Sequence, residues 1–260
     1  MVSFELPHCH PWADKIHCFD CVDSTNTLAK QMALQGAPHG TVLIADRQTA
    51  GRGRLGRSFL SPGGMGLYMS VILRYDCAAT ELMHLTCACG VGACNAVEAV
   101  TGIRPGIKWI NDLVVGTKKL AGILTELVFT GNQVCAIVGI GINCRQRLED
   151  FDPAIRDMAT SLATVTGEDV STEVMAAAVL QALYQMDGQL FSKKKELLSQ
   201  YRADCITLDN EIRVVQGENS AYGHAIDILE DGTLLVAFTD GTQRAVNSGE
   251  VSVRGMYGYV

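Results

Sequence analysis

The sequence predicts an α+β fold in two parts, a sheet with helices over residues 1–205 and a small all-β module over 206–260. Two observations predict it. In the first part, short β-branched runs alternate with apolar stretches of helical length. In the second, brief alternating stretches (EIRVVQ, YGHAIDILE, TLLVAFT, TQRAVNSGEVSVR) are separated by Gly, Asn and Asp turns. Asp231-Gly232 and Asp240-Gly241 are hairpin signals, because both residue types tolerate the positive φ of a two-residue turn.

The bulk numbers agree with a well-packed chain. Of 260 residues, 48% are hydrophobic and 19% charged, enough to bury a core and too apolar for disorder. The net charge of −7 argues against a protein built to grip nucleic acid, whose affinity comes from neutralised phosphates. No apolar run reaches the roughly 20 residues of a membrane span. The start, MVSFELPHCHPWADK, lacks the charged and apolar regions of a signal peptide. A cytoplasmic protein is expected.

Taken in order, the first feature is a Cys/His-rich stretch. Cys18 and Cys21 form one C-x-x-C beside His8, Cys9, His10 and His17. No second pair lies at zinc-ribbon spacing, and a metal site here stays an open alternative. The remaining cysteines sit in apolar runs and read as small reduced core residues. Residues 24–35 read as a helix capped by Asp23 or Ser24, with Leu28, Met32 and Leu34 as an apolar face. Residues 40–46 and 66–74 read as strands, and 79–100 as one buried helix. Residues 107–110 read as a short strand. Residues 118–129 and 132–143 read as strands joined by a turn at Thr130-Gly131-Asn132. Helical patterns occupy 172–186 and 190–202.

Between the strands at 40–46 and 66–74 lies GRGRLGRS, Gly51 to Ser58. Gly51, Gly53 and Gly56 match the dinucleotide fingerprint, and the stretch is one residue short of a P-loop. Both motifs require a helix next, whose N-terminus faces the phosphate. After Ser58 the chain reads FLSPGGMGLYMS, a turn and then a strand, so both matches fail on context. The chemistry that remains is close backbone approach at the glycines and rigid anion-binding forks at Arg52, Arg54 and Arg57. The five glycines of residues 49–64 and their sparse apolar anchoring predict a loop that is mobile until a ligand orders it. A second group, Lys108, Asn111, Asp112, Lys118 and Lys119, flanks a turn at Gly116-Thr117. It reads equally as a charged hairpin tip or as point charges projected into one cleft.

These two groups, in this order, resemble the biotin protein ligases. The resemblance rests on DSTN (23–26), QTAGRGRLGR (48–57), SPGGMGLYMS (61–70), KWIND (108–112), KKLAGILTEL (118–127), GIGIN (139–143) and SGEVSVR (248–254). Ile110 stands where the family usually has proline, and Leu55 where it often has a charged residue. The regulatory members carry a helix-turn-helix domain before the DSTN helix. The residues before Ser24 are too few for one, so no operator binding is expected.

The resemblance implies a class II synthetase-like mixed sheet with helices, followed by an SH3-like β barrel. It implies adenylation of biotin by ATP with Mg2+, then transfer to a lysine of a biotin carboxyl carrier protein, by a monomer or homodimer. It implies that Ser24, Thr25, Asn26 and Gln48 meet the ureido ring, and that Gly51, Gly122, Gly139 and Gly141 line the pocket. Arg52, Gly53 and Arg54 would fold over the carboxylate and later the adenylate phosphate. Lys119 would bridge carboxylate and α-phosphate. Lys108 and Asn111 would support the nucleotide phosphates and the Mg2+ they carry. Asp112 would orient the acceptor lysine, Asn143 would line the floor, and Arg254 would reach the nucleotide. The alternatives are a lipoate or octanoate ligase or transferase of the same superfamily, and a biotin-binding module without catalysis.

Overall fold

The structure, a computed structural model, describes residues 10–131 and 133–247 and the backbone of 252–255. Strand β1 (Ile16–Val22) leads into helix α1 (Thr25–Leu34), β2 (Thr41–Gln48), β3 (Gly66–Tyr75) and α2 (Leu85–Thr101). Strands β4 (Gly106–Lys108), β5 (Asp112–Val115), β6 (Lys118–Thr130) and β7 (Gln133–Asn143) complete the first sheet. Helices α3 (Leu162–Thr166), α4 (Thr172–Gln189) and α5 (Lys194–Asp204) precede the second sheet of β8 (Glu211–Gln216), β9 (Asn219–Ile228), β10 (Leu234–Phe238), β11 (Gln243–Val246) and β12 (Ser252–Gly255).

The first sheet has the order β1-β2-β3-β7-β6-β5-β4. Only β1 and β2 run parallel, so the sheet is mixed, as expected. The second is antiparallel, in the order β11-β10-β9-β8-β12, which agrees with a small all-β module.

Strand periodicity explains where a site can open. On β7, Val134, Ala136, Val138, Ile140 and Ile142 face the main core with α2 and α4. The alternate residues Cys135 and Ile137 face α1 and pack with Ala29 and Ala33. Further along that second face the side chains vanish, at Gly139 and Gly141. Side chains two apart share a face, so the same pleat that buries α1 leaves a bare floor beyond its N-terminus.

Ser24 caps α1, its hydroxyl accepting from the Thr27 N–H at 3.5 Å. The helix therefore starts abruptly over that floor, with Thr25 and Asn26 buried. One direct tie and a bridge through α5 join the second sheet to the first. Trp109 Nε1 donates to the Gly232 carbonyl (3.0 Å), Tyr201 OH to the Ile110 carbonyl (3.1 Å), and Arg202 Nε to Asp227 (2.7 Å). The KWIND segment is thereby held from behind.

Three expectations change. The Cys/His-rich stretch is largely an ordinary edge strand, β1, and among the described residues no cluster of three His, Cys, Asp or Glu could hold a metal ion. His8 and Cys9 lie outside the described residues. The single helix over 79–100 is a 3-10 turn, Ala79–Leu82, and then α2. The Ala78 N–H donates to the Glu81 carboxylate (2.9 Å), which seats the short turn by itself. The strand over 107–110 stops at Lys108, and a turn carries Trp109 to Asn111. The Trp109–Ile110 peptide is cis. No helix of the described residues is long and apolar enough to cross a membrane.

Candidate functional site

One cavity lies on the bare floor, roofed by the 49–64 loop and walled by the N-terminus of α1 and the β5–β6 hairpin. Its inner end is polar. Ser24, Thr25, Asn26 and Gln48 all line it. The Thr25 N–H donates to Gln48 Oε1 (2.8 Å), and Gln48 Nε2 donates to Ser61 Oγ (2.8 Å). Ser70, fully buried on β3, contacts Thr25 Oγ1 (2.8 Å) and Asn26 Oδ1 (2.6 Å). Gly139 must be glycine for a packing reason, because a Cβ there would overlap the Asn26 side-chain oxygen.

The outer end is cationic. Arg52, Arg54, Arg57 and Lys119 line the cavity, and Asp112 is the one carboxylate among the described residues of its wall. Lys119 Nζ pairs with Asp112 Oδ1 at 2.7 Å. Arg54 Nη1 donates to Asn111 Oδ1 (3.1 Å), and Asn111 Nδ2 to the Ile123 carbonyl (2.9 Å). Burial pulls the Arg54 guanidinium below its ordinary value, and the Asp112 charge pulls it back up. It stays charged, as arginine does in proteins. A Cβ at Gly122 would stand 3.2 Å from Lys119 Nζ, so that glycine makes room for the ammonium.

Sequence reasoning gives no signal for Phe59. Its ring lies over the floor, 2.6 Å from where a Gly141 Cβ would stand, with Lys119 Nζ 5.9 Å from its centroid. It meets Tyr68 edge-on at 6.4 Å. This one ring is the loop's main apolar anchor, since Leu55 and Leu60 are exposed, in line with the expected sparse anchoring. Polar contacts add to it. Gly53 N–H donates to the Arg57 carbonyl (2.7 Å), Phe59 N–H to the Gly51 carbonyl (2.9 Å), and Gly64 N–H to Asp46 (2.8 Å).

Comparison with known proteins gives the arrangement its context. Residues 18–143 match the model of the biotin/lipoate A/B protein ligase family, and residues 207–254 match the biotin protein ligase C terminal domain. The bifunctional ligase/repressor BirA of Bacillus subtilis is 34% identical over 232 residues, 86% of this chain and 70% of that protein. The chain belongs to the biotin protein ligase family. The biotin–[acetyl-CoA-carboxylase] ligase of Mycobacterium tuberculosis is 32% identical over 234 residues, 88% of this chain and 85% of that one. The solved biotin protein ligase from Aquifex aeolicus, in complex with biotin and ATP, superposes with a TM-score of 0.79. It is 33% identical and covers 93% of this chain and 99% of that one.

As a member of that family, the chain brings most of the expected residues to one place. Ser24, Thr25, Asn26, Gln48, Arg52, Gly53, Arg54, Asn111, Asp112, Lys119, Gly122, Gly139 and Gly141 all line the cavity. Three others do not. Gly51 is buried behind the loop, where a Cβ would meet the Phe59 carbonyl at 2.3 Å and Ser61 Oγ at 2.7 Å, so it serves packing. Asn143 turns away: its Nδ2 donates to the Thr160 carbonyl (2.9 Å) and its Oδ1 accepts from Gln146 (3.2 Å). Lys108 stands on β4 opposite Asp112, one strand outside the cavity wall. The Arg254 side chain lies outside the described residues, as do residues 248–251 of SGEVSVR.

The protein offers Mg2+ no cage of its own among the described residues. Asn111 Oδ1 accepts from the Arg54 guanidinium and keeps one lone pair.

Proposed function

We propose that this chain is an ATP-dependent biotin–protein ligase, which makes biotinyl-5′-AMP and passes biotin to a lysine of a biotin carboxyl carrier protein. The observation that carries the reading is the two-ended cavity. A neutral, hydrogen-bonding inner end suits a ureido ring, and a cation-rich outer end suits a carboxylate meeting a phosphate.

Each step balances with the side chains present. A biotin carboxylate oxygen attacks the α-phosphorus of ATP; an O–P bond forms, the α–β P–O bond breaks, and pyrophosphate leaves. Two anions must approach, so cations at fixed positions do most to lower the barrier. In this reading Lys119, paired with Asp112 at the outer end, bridges both anions, and Arg54 covers the acyl phosphate. The carrier lysine, once deprotonated, attacks the carbonyl carbon. A C–N bond forms, the C–O bond to phosphate breaks, and AMP leaves. A lysine has a free pKa of about 10.4, so it must lose one proton before it attacks and a second as the amide forms; Asp112 orients the amine and the protons pass to solvent. The nine described cysteines are free thiols, which suits a cytoplasmic enzyme.

The test is ATP–pyrophosphate exchange with biotin, lipoate and octanoate as separate substrates. Exchange that depends on biotin alone is expected. Exchange driven by lipoate or octanoate in preference to biotin would move the chain to the other branch of the superfamily. Saturable biotin binding with no exchange would make it a binding module.

A further inference from the structure

Glu126 lies on β6, on the same face as Gly122, and one contact from the loop and one from α1 meet at its carboxylate. Arg52 binds it with both terminal nitrogens, Nη1 to Oε2 and Nη2 to Oε1, each at 3.0 Å. Asn26 Nδ2 donates to the same Oε2 (3.1 Å) and to the Leu124 carbonyl (3.2 Å).

These partners fix how Asn26 is turned. Neither a carbonyl nor a carboxylate can donate, so the nitrogen of the amide must face them. Both of its hydrogens are then used. Asn26 Oδ1, over Gly139, accepts from Ser70 and has one lone pair left. Toward the cavity Asn26 is therefore an acceptor only, and it selects an N–H donor in whatever ring binds there. Turned over, it would bring its oxygen against the Glu126 carboxylate, which is costly in a part-buried site.

We propose that Glu126 is a positioning residue for biotin: it locks Asn26 as an acceptor for a ureido N–H and, through Arg52, seats the glycine-arginine loop over the same ring. This rests on the biotin reading above. Ring recognition and loop closure then share one carboxylate, 74 residues from Arg52 and 100 from Asn26 in the chain. The Glu126 side chain is 20% exposed and Arg52 is 44% exposed, so the pair is within reach of solvent and can be loosened without emptying the core.

Glu126→Gln tests this, because it keeps the shape and removes the charge. The expected result is a KM for biotin about tenfold higher in pyrophosphate exchange, with kcat and the KM for ATP within about twofold of wild type. In the ligand-free protein, trypsin should cut faster after Arg52, Arg54 and Arg57. Glu126→Asp keeps the charge one methylene short and should fall between the two; it decides the matter if the glutamine variant does not fold. An unchanged biotin KM in a folded variant overturns the proposal, and so does an equal rise in the KM for ATP. If wild type itself shows no biotin-dependent exchange, the functional reading has failed. The trypsin pattern then still decides whether Glu126 seats the loop, and unaltered cleavage overturns that.

Discussion

The two ends of the cavity are built on opposite principles. At the inner end the polar groups already satisfy one another: Gln48 with Thr25 and Ser61, Asn26 with Ser70, Leu124 and Glu126. At the outer end four cations line the wall against two carboxylates, Asp112 in the wall and Glu126 behind Arg52. The inner end costs little to maintain, because its buried groups are paired. The outer end carries an excess of positive charge, which is favourable only when an anion arrives. Recognition is set up by folding, and charge neutralisation waits for the substrates.

If that division is right, variants at the outer end should strike the chemical step and variants at the inner end should strike biotin affinity. The largest effect belongs to Lys119→Ala. Biotin-dependent pyrophosphate exchange should fall by about 10³-fold, with the melting temperature little changed. Exchange at the wild-type rate would remove Lys119 from its assigned place. Next comes Arg54→Ala, which should release biotinyl-5′-AMP about 10²-fold faster in a rapid-dilution assay while exchange continues. Retention at the wild-type rate would mean that Arg54 only braces Asn111.

At the inner end, Gly139→Ala should raise the KM for biotin about tenfold by displacing the Asn26 amide, and leave kcat close to wild type. A loss in kcat with an unchanged KM would break the comparison, since the inner end would then be acting on the transition state. Arg54→Ala and Gly139→Ala are also expected to combine additively, because the ends do separate work.

The smallest effect lies outside the cavity and serves as a control. His39 Nε2 lies 3.0 Å from Asp187, which also accepts from Tyr75 OH at 2.6 Å. The hydrogen bond to Asp187 raises the His39 value above its ordinary 6.5. The folded protein therefore holds this proton more tightly than the unfolded chain. The added stability is complete below about pH 6 and is lost as pH rises through the raised value. Because His39 is a third exposed, the contribution is under about 1 kcal/mol. The difference in melting temperature between wild type and His39→Asn should shrink on going from about pH 6 to about pH 9. A difference that grows over that range would reverse the assignment. Activity should not track it.

The same contrast explains what the sequence disclosed. The outer end is readable because its chemistry is clustered along the chain: three arginines among glycines within residues 51–58, and Lys119 beside Asp112 across one hairpin. The α1 cap is readable for a similar reason, since Ser24 acts within its own first turn. The change to short strands late in the chain needs only turn residues. Glu126 is not readable, because in sequence it is one polar position in an alternating strand and its partners lie far upstream. Phe59 reads as part of a turn, and only the pleat of β7 shows that two glycines leave a place for its ring. Asn143 carries suitable chemistry but is turned away by Thr160, and Lys108 stands on β4, one strand beyond the cavity wall. β1 is hidden by its composition, since cysteine and histidine suggest ligands where the chain makes a parallel edge strand.

The central claim, that this cavity joins biotin to a carrier lysine, is tested most directly by intact-mass spectrometry of an isolated carrier domain after incubation with the enzyme, ATP and biotin. The account predicts a single biotinyl addition on one lysine, absent without ATP and absent with Lys119→Ala. A carrier of unchanged mass, under conditions where the enzyme makes biotinyl-5′-AMP, would contradict it.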